Sequence, residues 1–323
     1  MSRTARMFSR REFGKAALSA AALSAMPVPS LWAQAKKLEP TYRGVKLGLI
    51  TGTLNPLPTI PGRDPIDIII EECIKVGAAH VELVGVQEPF GQPQVVRGGR
   101  FGQPPDVFTP EYQQTRDEQR KWRIAQPLTR FEEVRKKFAD AGLNLFSYVF
   151  TVGDDMTDEE IDATFRKLRA LGVPMFTSNQ TRVAMGRKAL QYSEKYKIMA
   201  SFHPHAQIHD PNEIATVESM ETLLAMSPMA RINLDIGHFT AGNNDAVAFL
   251  KKHHDRITHL HVKDRRRNGG PNVKLGEGDT PIRECLQLIR DNKWDIICAL
   301  EREYRGEGSS VQEQMDYMKQ CLA

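Results

Sequence analysis

The sequence predicts a single α/β domain folded as a (β/α)8 barrel, and three observations lead to that fold class. Eight short apolar runs alternate with eight stretches of helical periodicity. No G-x-G-x-x-G motif follows the first run, although a doubly wound sheet often carries one there. Several runs end in His, Asp or Glu, and a parallel barrel gathers the C-terminal ends of its strands around one site.

The predicted strands are the apolar runs, each short enough to cross a barrel wall once. They cover residues 45–50, 79–84, 143–150, 173–177, 198–202, 232–235, 257–262 and 296–301. Helices are predicted between them and after the last one, at 64–76, 131–141, 157–171, 183–196, 217–226, 244–253, 281–291 and 310–321.

Two helix boundaries carry explicit sequence signals. Asp64 is the expected N-cap of the first helix, with Pro65 at its first position and Gly77 at its end. Thr157 stands three residues before Glu160, which is the pattern of a capping box at the start of a later helix.

The connection after the second strand is unusually long, from Gly85 to Thr129. In a barrel it lies on the C-terminal face, so one interpretation is a lid that presents aromatic side chains to a sugar. The other is a surface insertion whose aromatic residues pack on the barrel rim. A short helix is expected at 111–123 within it, and its aromatic residues include Phe90, Phe101, Phe108, Tyr112 and Trp122.

The first 35 residues have the pattern of a twin-arginine export signal. Arg10 and Arg11 precede an Ala-rich apolar run, 16–25, and Ala33-Gln-Ala35 is a candidate cleavage site. We therefore expect delivery to the periplasm by the twin-arginine translocase, with no membrane anchor after cleavage. The segment carries a net charge of +4, as does the whole chain, so residues 36–323 are near neutral and unsuited to nucleic acid.

The remaining residues, about 290 of them, suffice for one large domain with its own core. The four cysteines are scattered without a CxxC motif: Cys73, Cys285, Cys298 and Cys321. Their apolar surroundings favour buried thiols, although a disulfide is compatible with an oxidising compartment.

Metal-ligand residue types end four consecutive predicted strands. Asp235, His261 and Glu301 follow the sixth, seventh and eighth, and a further ligand is expected from the fifth, which ends at Phe202-His-Pro-His205. A mixed oxygen and nitrogen site suits one divalent ion such as Mn²⁺, Zn²⁺, Co²⁺, Fe²⁺ or Mg²⁺. Glu303 lies on the same strand face as Glu301 and is its nearest rival.

These segments resemble the sugar isomerase/epimerase family with the xylose-isomerase-like barrel, over nearly all of residues 36–323. The export signal and the 120–123 stretch are similar to an exported branch of that family. The most specific motifs are Leu234-Asp-Ile-Gly-His238, His259-Leu-His-Val-Lys-Asp264, Gly276-Glu-Gly-Asp279 and Glu301.

The resemblance implies a metal held by Asp235, His261 and Glu301, and a substrate contact by His238. Where the family's epimerases carry a strand-five glutamate, this chain has His203, with His205 as the second choice. The epimerases use two glutamates as acid and base on opposite faces of a carbon. Losing one of them leaves metal-assisted proton abstraction intact but weakens the case for epimerisation.

The remaining candidate residues have two readings each. Glu82 is a substrate or supporting contact, or an ion-pair partner inside the barrel. Lys263 points into the pocket and stabilises an enolate oxygen, or pairs with Asp264 on the rim. Trp122 is a candidate substrate contact, and the run 265–267 either meets an anionic substrate or is a solvated loop.

The expected activity is proton abstraction beside a carbonyl through a metal-bound enediolate, with Glu301, or His203, as the base and Lys263 beside the oxygen. Isomerisation or epimerisation of a sugar is the first hypothesis. Elimination from a 3-keto sugar, glycoside or cyclitol is the second, and a noncatalytic periplasmic sugar-binding barrel is the third. Family resemblance also suggests a homo-oligomer.

Overall fold

Eight parallel strands close into a barrel, as the sequence predicts, in a computed structural model that describes residues 38–84, 90–96, 109–179, 183–209 and 213–323. The barrel strands are β1 (Lys46–Ile50), β2 (His80–Val84), β3 (Asn144–Val149), β4 (Met175–Asn179), β5 (Met199–His203), β6 (Ala230–Asp235), β7 (Ile257–Val262) and β10 (Ile297–Leu300). Each strand pairs with its neighbours in sequence, and β1 pairs with β10 to close the ring.

Helices connect the strands on the outside of the barrel, and two short strands form a separate hairpin. The helices are α1 (Pro65–Val76), α2 (Pro110–Ala125), α3 (Leu128–Asp140), α4 (Asp158–Leu171), α5 (Val183–Tyr196), α6 (Val217–Met226), α7 (Ile236–Ala241), α8 (Ala246–His253), α9 (Ile282–Asn292) and α10 (Val311–Cys321). The hairpin pairs β8 (Asp264–Arg265) with β9 (Asn272–Val273) in antiparallel fashion.

The predicted boundary signals act as expected at α1 and only half as expected at α4. The Asp64 side chain accepts a hydrogen bond from Ile66 N, and Gly77 takes the left-handed conformation that ends the helix. Thr157 accepts from Glu160 N at the start of α4, but the Glu160 carboxylate turns away from the cap. It is drawn instead into a buried cluster of arginines from α2.

That arginine cluster fixes α2 against α4. Glu160 is fully buried and accepts from Arg116 Nη2 at 2.7 Å and from Arg123 Nη1 at 2.8 Å. Arg116 also donates from Nε to Asp155, at 2.7 Å. A buried carboxylate with several charge-assisted hydrogen bonds favours one fixed position for the helix.

The described part of the long connection therefore packs on the barrel, which agrees with the surface-insertion interpretation. Phe90 stacks on Phe131 with ring centroids 4.6 Å apart, and the Tyr112 hydroxyl donates to Asp155 at 3.0 Å. Phe101 and Phe108 lie outside the described residues. The expected role of this connection as a lid stays a prediction.

The core has two parts, and they differ in position. The larger cluster fills the space between the strands and the surrounding helices. A small inner cluster of Phe146, Met175, Ile297 and Ala299, with Met199 against it, fills the barrel near the starts of the strands. This apolar plug leaves the opposite end of the barrel, where the strands finish, to polar side chains.

Several smaller expectations can be compared with the fold. All four cysteines are buried and free, as predicted. Sequence patterns did not anticipate α7 or the β8–β9 hairpin, because both are too short to have a periodicity. The expected export signal lies outside the described residues and stays a prediction. None of the helices in the described part of the chain has both the length and the apolar character of a membrane span.

Candidate metal centre

The four predicted ligands meet at the C-terminal end of the barrel. Asp235 is the last residue of β6, and in the sheet it lies directly beside His261 of β7. His203 ends β5, and Glu301 follows the last residue of β10. One possible ligand atom from each of these four side chains lies within 4.8 Å of the other three. The converging strand ends therefore bring the four side chains together, as the sequence predicts.

Distances within the cluster match a site that shares one cation. His203 Nε2 lies 3.7 Å from Asp235 Oδ2, and His261 Nδ1 lies 3.3 Å from Glu301 Oε2. Asp235 Oδ1 accepts from the backbone N of His238 at 2.6 Å, which leaves Oδ2 for the cluster. Asp235 thus caps α7 with one oxygen and faces the other ligands with the second.

Glu82 orients His261 from the interior of the barrel. The carboxylate accepts from His261 Nε2 and from Thr177 Oγ1 in two short hydrogen bonds, and from Ser147 Oγ at 3.0 Å. Because Nε2 donates to Glu82, the Nδ1 atom of His261 is the one available to a metal ion. A carboxylate behind a metal-ligating imidazole is a common supporting arrangement. Glu82 is thus the ion-pair partner inside the barrel that one reading expected, and through His261 it also supports the cluster.

Asn233 orients His203 in a related way. One terminal atom of its side-chain amide lies 3.2 Å from His203 Nδ1 and 3.1 Å from His261 Nε2. The partners decide whether that atom is nitrogen or oxygen. His261 Nε2 already carries a proton for Glu82, so we assign the acceptor oxygen of Asn233 to this position. His203 then donates from Nδ1, and its Nε2 lone pair faces the cluster.

Lys263 points into the cluster rather than toward Asp264. Its ammonium lies 2.9 Å from Glu301 Oε2 and 3.0 Å from Asp235 Oδ2, and it is almost fully buried. The lysine stem passes over Gly237, where an added Cβ would lie 2.6 Å from Lys263 Cγ. Glycine in the Asp-Ile-Gly-His motif is therefore required by the path of this side chain.

Asp264 has a separate, structural role. Its carboxylate accepts from the backbone N of Gly276 and Gly278, at 2.8 and 2.9 Å, and from Thr280 N at 3.2 Å. A Cβ at Gly278 would approach Asp264 Oδ1 to 2.0 Å. The Gly276-Glu-Gly-Asp279 motif is thus a loop folded around a buried carboxylate. Of the two readings of Lys263, the contacts agree with the one that points into the pocket.

Burial and neighbouring charges set the protonation of the cluster. Burial raises the pKa of Asp235 to about 7. Burial also opposes ionisation of Glu301, but the Lys263 ammonium and then His261 hold the pKa of that carboxyl well below its usual range. Burial disfavours a charged His261, yet Glu82 and Glu301 raise its pKa to about 10. Burial keeps the pKa of His203 well below its usual value, so that ring is neutral.

The donor atoms fit one divalent ion. Two buried atoms of the cluster, Asp235 Oδ2 and His261 Nδ1, make no well-aligned hydrogen bond among the described residues. Their charged neighbours are the Lys263 ammonium, 3.0 Å from Oδ2, and Glu301 Oε2, 3.3 Å from Nδ1. Buried polar atoms without a good hydrogen bond are rare in folded proteins, and a shared ion is one reason for them. Two carboxylates and two imidazoles make the mixed oxygen and nitrogen set that first-row divalent metals accept.

A second cluster inside the barrel does not fit a metal as well. Glu82, His259 and His261 lie close together. The His259 ring is, however, engaged on both sides: Nε2 lies 3.2 Å from Thr177 Oγ1, and Nδ1 lies 2.9 Å from Thr258 Oγ1. Glu82 is likewise saturated by its donors. This layer lies inside the barrel, next to the candidate metal centre, and supports it.

The other predicted site residues divide between the cluster and its surroundings. His205 and His238 lie next to His203, with ring centroids 4.9 and 5.8 Å from it. Glu303 reaches only the rim, where it accepts from Asn272 at 2.6 Å and lies 3.5 Å from Lys263. Of the two rival glutamates, Glu301 is the one that joins the cluster.

Trp122 is not brought to the cluster. It lines a separate cavity of about 330 Å³ beside α4, together with Phe131, Tyr148 and Lys167. The Lys167 ammonium lies 5.2 Å from the centre of the Trp122 ring, and burial lowers the pKa of Lys167 to about 7. The expected contact of Trp122 with substrate has no support from this geometry and stays a prediction.

Sequence reasoning missed Asn233 and did not predict the contact that Arg265 makes within the site. Asn233 lies on β6 two residues before Asp235, and strand alternation places both side chains on one face, which was the available signal. Arg265 was read as part of a possible solvated loop. It lies in the hairpin strand β8 and donates to His238 Nδ1 at 2.7 Å.

The chain belongs to the family described as "Xylose isomerase-like TIM barrel", whose family model matches residues 116–321, more than half of the chain. The curated relatives that it matches include an inosose dehydratase of Clostridium tetani (strain Massachusetts / E88). That protein is 25% identical over 150 residues, which are 40% of this chain and 49% of the relative. The chain thus spans about half the length of this relative.

Solved structures share the fold at low sequence identity. The probable 3-DHS dehydratase AsbF from Bacillus anthracis, described as involved in petrobactin synthesis, superposes with a TM-score of 0.58 and 17% identity, over 86% of this chain and 98% of that one. The IOLI protein, solved with a bound zinc atom, gives a TM-score of 0.56 and 15% identity, over 86% and 96%. At these identities the likeness establishes the fold alone.

Proposed function

We propose that the chain is a divalent-metal-dependent enzyme that removes a proton beside the carbonyl of a sugar-like ketone and then eliminates a β-hydroxyl as water. The observation that carries the proposal is the four-residue cluster of His203, Asp235, His261 and Glu301 at the open end of the barrel. Membership of a xylose isomerase-like family and a matched inosose dehydratase support sugar or cyclitol chemistry.

Glu301 is the base of this proposal because it alone among the four ligands is accessible. Its side chain is 15% exposed, whereas those of His203, Asp235 and His261 are at most 1% exposed. The adjacent Lys263 ammonium keeps it ionised, so it can accept a proton at neutral pH.

The surrounding cations and donors suit the charge that develops on the substrate. A divalent ion in the cluster would supply Lewis acidity to the carbonyl oxygen. Lys263 offers an N–H donor within 3 Å of Glu301 and can stabilise negative charge on an oxygen next to the carbon that loses its proton. His205 and His238, whose ring centroids are 4.7 Å apart, lie beside His203 and can face the leaving group.

The elimination is balanced by the groups present. Glu301 takes the proton from the carbon next to the carbonyl, and the electron pair of that C–H bond forms a C=C bond. The C–O bond to the β-hydroxyl breaks, and the oxygen leaves as water with a proton from an imidazole N–H of the site. An asymmetric pair, a carboxylate on one side and imidazoles on the other, suits this outcome because base and acid perform different tasks.

Isomerisation or epimerisation is the second candidate. It begins with the same proton abstraction, and burial lowers the pKa of His205 to about 4, so that ring is a neutral base at physiological pH. A neutral imidazole near His203 can exchange a proton on the opposite face of the carbon. The end of β5 carries His203 where the family's epimerases carry a glutamate, which makes this outcome the weaker one.

The test is deuterium exchange from D₂O into a panel of keto-sugars, 3-keto-glycosides and inososes, followed by NMR with and without added Mn²⁺. Wild-type protein is expected to exchange one C–H next to the carbonyl and to accumulate an unsaturated product. Glu301→Gln should lower the rate by about 10²- to 10⁴-fold, since the base is lost. Glu303→Gln, a matched change on the same segment, should lower it by less than about tenfold.

Each outcome separates the candidates. Exchange with a new epimer or isomer but no unsaturated product would favour the second candidate. An equal loss of rate in both variants would mean that Glu301 is not the base. No exchange into any compound, together with saturable binding of one of them, would leave the noncatalytic sugar-binding barrel.

A further inference from the structure

Arg265 is held in one position by the β8–β9 hairpin. Its guanidinium donates twice to Gly270 O, from Nε at 3.1 Å and from Nη2 at 2.7 Å. Its backbone N donates to Thr280 Oγ1 at 3.1 Å, and its backbone O accepts from Asp279 N at 2.9 Å. The third donor, Nη1, is thereby directed at His238 Nδ1, 2.7 Å away.

The chemistry of this contact determines where the His238 proton is. A guanidinium is always protonated and has only N–H donors, so Nδ1 of His238 has to be the acceptor. A second positive charge on the ring, next to that guanidinium, is unfavourable. The ring is therefore neutral, and its one proton is on Nε2.

We infer that Arg265 is a positioning residue that fixes His238 as the Nε2–H tautomer, which makes His238 a hydrogen-bond donor to a substrate oxygen and prevents it from ligating metal. This role as a donor rests on the proposed function. The tautomer itself does not, because it follows from the hydrogen bond alone.

This tautomer also excludes metal binding by a third group of histidines. His203, His205 and His238 lie close enough to hold an ion. With Nδ1 engaged by Arg265 and Nε2 carrying the proton, His238 has no lone pair to offer, and only two ligands remain. A second metal ion beside the first is accordingly not expected.

Two histidines of one site thus have different roles because their hydrogen-bond partners carry opposite charges. His261 has the carboxylate of Glu82 on Nε2, which holds a proton there, so Nδ1 is the atom that can bind a metal once its own proton has left. His238 has a cationic donor on Nδ1, which leaves a proton on Nε2. The first ring is prepared as a ligand and the second as a donor.

The first test is the ring ¹⁵N NMR spectrum of protein labelled at histidine, recorded metal-free and with Mg²⁺ at near-neutral pH. The His238 signals are assigned by their loss in His238→Gln. We expect a protonated Nε2 and an unprotonated Nδ1 in wild type. An Nδ1–H tautomer or an imidazolium at His238 would overturn the inference.

Variants at position 265 make the cause testable. Arg265→Met keeps the aliphatic stem but removes the donor, so His238 should become a mixture of both tautomers. Arg265→Lys restores one donor and should restore the wild-type spectrum in part. Arg266→Met removes the neighbouring arginine, which is half-exposed and pairs with Asp279, and should leave the His238 signals unchanged. An unchanged spectrum in Arg265→Met would contradict the proposed cause.

Metal binding and turnover separate this inference from the proposed function. Arg265→Met should bind Mn²⁺ as wild type does, and should lower kcat/KM for any compound that turns over by about 10- to 100-fold. Loss of metal affinity in His238→Gln as large as in Asp235→Asn would identify His238 as a ligand and overturn the inference. If no compound turns over, the NMR spectra still decide it.

Discussion

At the scale of single residues, the proposed chemistry depends on the direction of the Lys263 side chain. The sequence left two readings of this lysine, one into the pocket and one toward Asp264. The backbone amides that surround Asp264 exclude the second, and Gly237 makes room for the first. Neither fact can be read from one sequence, because both depend on segments that meet only in the folded barrel.

Gly237→Ala tests this path directly. The new Cβ would lie 2.6 Å from Lys263 Cγ and 2.9 Å from Lys263 O, so both the stem and the backbone of the lysine have to shift. We expect a loss of about 1–3 kcal/mol in the free energy of unfolding, measured by urea denaturation, and loss of deuterium exchange.

Gly52→Ala is the matched control, because its nearest neighbour atom, Val84 Cγ2, is 3.7 Å from the added Cβ. It should change the free energy of unfolding by less than about 0.5 kcal/mol. If Gly237→Ala were as stable and active as Gly52→Ala, the proposed position of Lys263 would be wrong.

At the scale of elements, the start of α4 shows how a sequence signal can be right in part. The pattern at Thr157 and Glu160 predicts a helix start, and α4 does begin there. The Glu160 side chain, however, is taken by Arg116 and Arg123 of α2, about forty residues earlier. Local patterns find the helix, but only the tertiary structure shows which residue its first-turn carboxylate serves.

Glu160→Gln should detach α2 from α4. It leaves Arg123 without its buried counter-charge, while Arg116 keeps only Asp155. Breaking a buried pair in this way costs up to about 3–5 kcal/mol. The expected result is a correspondingly lower free energy of unfolding and faster amide hydrogen exchange in α2 than in wild type.

Glu159→Gln removes the same charge one residue earlier, from an exposed position in the same helix turn. Its effect should stay within about 0.5 kcal/mol, as for most surface changes. Similar effects in the two variants would mean that the arginine cluster does not hold α2 in place.

At the scale of the whole molecule, the sequence predicted the barrel and most of the metal centre for one reason. Strand ends in a parallel barrel converge, so ligand-type residues after consecutive apolar runs meet whatever the details of packing. His203, Asp235, His261 and Glu301 were found in this way. Glu82 was a candidate with two readings, because its partner His261 lies on a distant strand, and Asn233 was overlooked although it lies on β6 with Asp235. The contact of Arg265 depends on a hairpin too short to predict.

The central claim is that these four residues hold one divalent ion. The most direct measurement is calorimetric titration of metal-free protein with Mn²⁺, in buffers of different ionisation enthalpy and at several pH values. Asp235→Asn removes a buried ligand, and Asp255→Asn makes the same change at an exposed site after α8.

We expect one ion per chain, bound with release of protons. Glu82 and Glu301 raise the pKa of His261 to about 10, so its Nδ1 proton has to leave before that atom can ligate, and affinity should rise with pH up to that value. Asp235→Asn should weaken binding by at least about 10- to 100-fold, while Asp255→Asn binds as wild type. Undiminished binding in Asp235→Asn, or no binding in wild type, would contradict the account.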